Sequence, residues 1–132
     1  MNLKGKIVAS LQEPSPLSAA VRRFKDPHYQ NKAPNLQALR DEIDALDAQI
    51  VDLMAKRALC VRDATRFKKD AFQVAAPARQ AQVFQKVRDL ASEHATNFPK
   101  FENIVASAYR SMVAGFIAAE QELFAETEEV KS

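Results

Sequence analysis

Glycine is almost missing from this chain: Gly5 and Gly115 are the two in 132 residues, and each is isolated. That scarcity, with no period-two alternation of apolar and polar residues anywhere, excludes a strand-rich fold. The abundant Ala, Leu, Gln, Glu, Lys and Arg predict an all-α protein instead. Cysteine occurs once, at Cys60, which rules out an internal disulfide; its place among apolar residues makes it a small packing group in a reducing compartment. His28 and His94 lie far apart, and without a second cysteine no zinc-ligand spacing exists, so neither a metal nor another cofactor is expected. Charge of one sign is also lacking. The formal net charge is +2, with bases interspersed among acids, which argues against a nucleic-acid partner. No apolar run of signal-peptide length follows Lys4 and Lys6, because Ile7 to Leu11 is short and meets Gln12, Glu13 and Pro14. The sequence therefore predicts a cytoplasmic protein with no membrane partner.

At 132 residues the chain is one folding domain with room for a modest core. Its first 34 residues differ from the rest. They hold four of the six prolines, Pro14, Pro16, Pro27 and Pro34, and the basic cluster Arg22, Arg23 and Lys25. Residues 1–34 are expected to form an irregular or partly disordered N-terminal arm, with Leu17 to Lys25 able to make a short amphipathic helix. The helical domain is expected over residues 35–129.

Within that domain the apolar residues repeat at steps of three and four. Leu36, Leu39, Ile43, Leu46, Ile50 and Leu53 are followed by Arg57, Cys60, Ala64 and Lys68, one face of a long helix. Arg57 and Lys68 thus occupy stripe positions, roughly 20° apart in azimuth and ~16 Å apart along the axis. A third cation, Arg79, begins the next stripe with Val83, Val87 and Leu90. Long cationic side chains can lie along apolar surface with their heads in water, and Asp44, Asp47, Asp52 and Asp63 are near enough in sequence to pair with them. No carboxylate occupies the stripe itself between Leu36 and Lys68, however. Burying unpaired charge costs several kcal/mol, so three cations on core-facing stripes point to a site for an anion.

Asn35, preceded by Pro34, is the expected N-cap of a first helix running to about Asp70. Ala71 to Pro77 reads as a loop, followed by a second helix from about Ala78 to Glu93. His94 to Asn97 breaks the pattern, and a third helix starts at Asn97 or Phe98. It carries Phe101, Val105, Ala108, Met112 and Phe116 on one face, with Ile117, Gln121 and Phe124 beside it. A first helix of ~34 residues would be about 50 Å long, more than the two shorter helices can cover. Its heptad spacing suits packing against a second copy. Arg40 lies ~25 Å and roughly 100° from Arg57 on the same helix, so it cannot share a site with Arg57 within one chain. An antiparallel partner's Arg40 can.

The run Leu39-Arg40-Asp41-Glu42-Ile43-Asp44-Ala45-Leu46-Asp47, with Leu53 to Arg57 and Arg66-Phe67-Lys68, resembles the all-helical chorismate mutases and the related isochorismate-pyruvate lyases. The resemblance covers roughly Asn35 to Glu126. It implies three helices per chain, long, short and long, interlocked into a homodimer with two shared active sites. It also implies a small dicarboxylate substrate. Arg40 from the partner chain, Arg57 and Arg79 fall at the spacings of the family's substrate-binding cations. Lys68 and Gln121 match its catalytic donors, Gln121 through the Glu120-Gln121 pair. Such an enzyme folds the enolpyruvyl ether of chorismate over the ring by orientation and stabilises negative charge at the ether oxygen as the C–O bond breaks.

Departures from the pattern bear on specificity. Ala76 stands where an acid is common, Gln80 follows Arg79 where a Glu is common, and Ile117 replaces a serine. The Arg66-Phe67-Lys68 triplet and Ala76-Pro77-Ala78-Arg79 are closer to the lyases, which convert isochorismate to salicylate and pyruvate. The expected function is chorismate mutase. The alternatives are isochorismate-pyruvate lyase and a non-catalytic helical dimer that binds a dicarboxylate or a partner protein.

Overall fold

A computed structural model describes residues 11–131. Lys4, Lys6 and the start of the short apolar run at Ile7, with the first ten residues of the expected arm, lie outside the described residues. All regular structure among the described residues is helical: α1 (Leu36–Ala64), a 3-10 turn (Thr65–Phe67), α2 (Ala71–Ala75), α3 (Pro77–Ser92) and α4 (Phe101–Ala125). Three of these helices are long, as expected, and α2 is an addition. The chain divides into two compact units, Met1–Leu53 and Met54–Ser132, and the boundary falls inside α1.

In the first unit, Asn35 caps α1 as its sequence position predicts. Its Oδ1 accepts the Ala38 N–H at 2.9 Å, and the Gln37 N–H, another donor of the first turn, goes to the Pro16 carbonyl at 2.9 Å. Lys32 Nζ meets Glu42 Oε1 at 2.9 Å. That hydrogen bond, aided by the negative charge of Glu42, raises the Lys32 ammonium above its ordinary value. Residues 11–34 form turns and bends, without the helix expected over Leu17 to Lys25. So short a segment cannot carry the cost of nucleation without a packing partner. Leu17, Val21 and Phe24 are 74%, 93% and 68% exposed, although the Phe24 ring meets that of Tyr29 at 4.5 Å between centroids.

The second unit explains why α1 ends at Ala64 and not near Asp70. Thr65 to Phe67 tighten into the 3-10 turn, and Lys68 is extended, with its N–H on the Thr65 carbonyl. The expected loop then contains α2, because Asp70 is an N-cap: its Oδ1 accepts the Gln73 N–H at 2.9 Å, while Gln73 Oε1 accepts the Lys69 N–H at 2.8 Å. This reciprocal pair is a variant of the capping box and could be read from Asp70-x-x-Gln73. Ala76, left-handed at φ 45°, ends α2, and Pro77 starts α3 at its first position. The third long helix begins at Phe101, later than the expected Asn97 or Phe98. Pro99 disfavours helical geometry at Phe98, and Lys100 is left-handed at φ 59°.

Helix α4 packs on α3, on α2 and on the 3-10 turn. The core is small: Val74 of α2, Val87 and Ala91 of α3, and Ala106 and Val113 of α4. Two polar residues, Thr65 and Glu120, are buried with them. By contrast α1 buries no residue along its length. Its stripe residues Ile43, Leu46, Ile50 and Leu53 are all about half exposed. No helix among the described residues is long and apolar enough to cross a membrane.

Candidate active site

A cavity of about 300 Å³ opens within the Met54–Ser132 unit, at the lower end of the range for small-molecule sites. Three of the five residues expected in a site meet there: Arg57 from α1, Lys68 from the extended segment after the 3-10 turn, and Arg79 from α3. They arrive by separate routes. Arg57 occupies the stripe position after Leu53, and its guanidinium carbon sits 5.0 Å from the centre of the Phe116 ring. That cation–π contact supports the charge where water is thinned, worth about 0.5–2 kcal/mol. The early end of α1 and the extended backbone at Lys68 bring the ammonium in from the loop. Arg79 stays exposed, in the first turn of α3, with Nη1 3.5 Å from Gln82 Oε1.

The residue that completes the cluster is Glu120, whose relative exposure is 4%. Its Oε2 accepts from Lys68 Nζ at 3.0 Å and lies 3.1 Å from Thr65 Oγ1. Glu120 is the more buried partner, so removing Lys68 would leave its carboxylate short of a counter-charge. Gln121, expected as the second donor, sits elsewhere in this structure. It does not line the cavity, and its Nε2 donates to the Ala71 carbonyl at 3.0 Å, tying α4 to the start of α2. One residue along a helix turns the side chain by ~100°. The sequence carried the signal: Val113, Phe116, Ile117 and Glu120 are spaced at steps of three and four, and all four line the cavity. The fifth expected residue, Arg40, is exposed on α1 in the other unit.

Cys60, Val61, Ala64, Val74, Ala76 and Val83 supply most of the remaining wall. Gln80 also lines it, with Nε2 held on the Ala75 carbonyl at 2.6 Å. Among the described residues that line it, three cations against one carboxylate leave a surplus of two positive charges. Such a lining attracts a dianion, and its apolar walls strengthen each electrostatic contact. The described residues hold no cluster of metal-ligating side chains.

A sequence profile of the family "chorismate mutase type II" matches residues 39–121. The chain belongs to that family. The matched span contains Arg40, Arg57, Lys68, Arg79, Glu120 and Gln121. Among curated proteins, a bifunctional chorismate mutase/prephenate dehydratase from Stutzerimonas stutzeri is 30% identical over 99 residues, covering 70% of this chain and 26% of the relative. The chain thus spans about a quarter of that relative's length. The helical fold is the one expected of a chorismate mutase of this type.

Proposed function

We propose that this chain is a chorismate mutase, converting chorismate to prephenate in sites that two copies of the chain share. The observation that carries the reading is the convergence of Arg57, Lys68 and Arg79 on one cavity where, among the described residues, Glu120 is the one carboxylate. Chorismate is a dicarboxylate, and the surplus of positive charge suits it.

The rearrangement breaks the ether C–O bond as a C–C bond forms, and no proton is gained or lost. The protein's work is therefore posture and charge. Arg57, with the partner subunit's Arg40, grips the carboxylates and holds the side chain folded over the ring, while Arg79 supports the carboxylate end. Lys68 donates to the ether oxygen, where negative charge grows as the bond breaks. Glu120, in contact with Lys68 Nζ at 3.0 Å, holds that ammonium at the cavity.

A second reading, isochorismate-pyruvate lyase, draws on the wall formed by Ala76 and Gln80, which offers a ring hydroxyl no spare carboxylate. One assay separates the two. Purified protein is incubated with chorismate and, separately, with isochorismate, and prephenate, salicylate and pyruvate are resolved. Prephenate from chorismate is expected. Salicylate and pyruvate from isochorismate without prephenate from chorismate would replace the mutase with the lyase, and binding without any product would leave a non-catalytic dicarboxylate-binding dimer.

A further inference from the structure

We infer that Phe116 is a positioning residue, whose ring holds the Arg57 guanidinium for the substrate carboxylate without neutralising it. The inference rests on the reading of Arg57 as a carboxylate grip and adds what aims that grip. Arg57 stands on α1, which buries none of its residues, so close packing does not fix where its long side chain ends. Its guanidinium carbon lies over the Phe116 ring of α4, 5.0 Å from the ring centre. Both residues line the cavity and both are half-buried.

A carboxylate is the common anchor for a guanidinium, and at this place it would defeat the purpose. It engages the N–H fork and offsets the charge, leaving less of both for a ligand. Among the described residues that line the cavity the one carboxylate is Glu120, and it is held by Lys68 at 3.0 Å, with Thr65 Oγ1 at 3.1 Å. An aromatic ring attracts a cation through the negative face of its π-system and takes none of its N–H donors. Arg57 is thus held with its charge intact and its fork open. Ile117, the next residue on α4, also lines the cavity. It is as apolar as Phe116 but has no such face to offer.

The test places phenylalanines of increasing ring fluorination at position 116, beside F116L. Fluorine draws electron density from the ring face while barely changing the ring's shape, so a packing role alone predicts no trend. Steady-state kinetics are measured with whichever of chorismate and isochorismate the parent converts, both being dicarboxylates. The expected result is a kcat/KM that falls with each added fluorine, and an F116L variant that loses about 2- to 30-fold, the range of one cation–π contact. KM should rise more than kcat falls, because Arg57 holds the carboxylate both before and during the rearrangement. The sign of the trend identifies the ring's partner. A ring face lying against the anionic substrate itself would bind it better as fluorines are added. A rising series therefore overturns the inference, as does a flat series beside a damaged F116L, or an F116L with the parent's kinetics. Each of these leaves the proposed function standing. A parent that converts neither dicarboxylate overturns the proposed function, and the role of Phe116 with it.

Discussion

In the proposed mutase, Lys68 is the residue on which binding and chemistry meet, because its ammonium is held by Glu120 at 3.0 Å and also lines the cavity. As a preorganised donor aimed at a charge that grows during reaction, it should matter more to kcat than to affinity. Lys68→Ala is expected to lower kcat at least ~100-fold with a smaller change in KM. Lys69, next in sequence but exposed and not lining the cavity, should tolerate the same change. Gln121→Ala should loosen the link from α4 to α2 and cost stability more than kcat. Steady-state kinetics beside thermal melts separate these outcomes, and a Lys69→Ala variant worse than Lys68→Ala would reverse the assignment of the loop. Most of this cluster was legible in sequence. Arg57 interrupts an apolar stripe and Arg79 stands at the head of another, so their direction followed from helical period, whereas Lys68 reaches the cavity from the extended segment beyond α1. Glu120 escaped because the resemblance aligned a donor to its neighbour. At that point a single step of register decides which side chain faces the cavity, and the spacing of Val113, Phe116, Ile117 and Glu120 carries it.

At the scale of elements, the short α2 was the part least visible beforehand. Five residues are too few for a period to show, and a helix of that length depends on its cap and on burial, not on propensity. Asp70 provides the cap and Val74, at 1% exposure, the burial. Asp70→Ala should therefore cost about 0.5–2 kcal/mol, lowering Tm by several degrees. Activity should fall more than that loss of stability alone predicts at a temperature well below the melt, since Val74, Ala75 and Ala76 form part of the cavity wall. Melting curves and kcat measured on the same preparations check this; an unchanged Tm would mean that the Asp70–Gln73 pair contributes nothing to the fold. The helix ends shifted for similar local reasons. Pro99 and the left-handed Lys100 delay α4, and the 3-10 turn at Thr65 shortens α1. Element type was readable from composition and period, whereas ends depended on single residues and their hydrogen bonds.

For the whole molecule, the open stripe of α1 is the dominant feature. Ile43, Leu46, Ile50 and Leu53 repeat at helical spacing yet are each about half exposed. Covering them with a second copy, as proposed, ties folding to concentration: the unfolding midpoint should rise with protein concentration in sedimentation and melting experiments. Mixing tests the shared site directly. Arg40→Ala and Arg57→Ala, each expected to be nearly inactive, should regain part of the activity after subunit exchange, because one of the two sites in the heterodimer then has both arginines. A stable, active monomer, or no recovery despite demonstrated exchange, would refute the shared site. The charge of the cavity carries a further consequence for turnover. An isomerisation leaves total charge unchanged, so a lining that draws in a dianionic reactant by its surplus positive charge holds the dianionic product by the same attraction. Such an enzyme cannot expel its product electrostatically, and must let it go by mismatch of shape, so accumulated prephenate would compete with chorismate and throttle the forward flux.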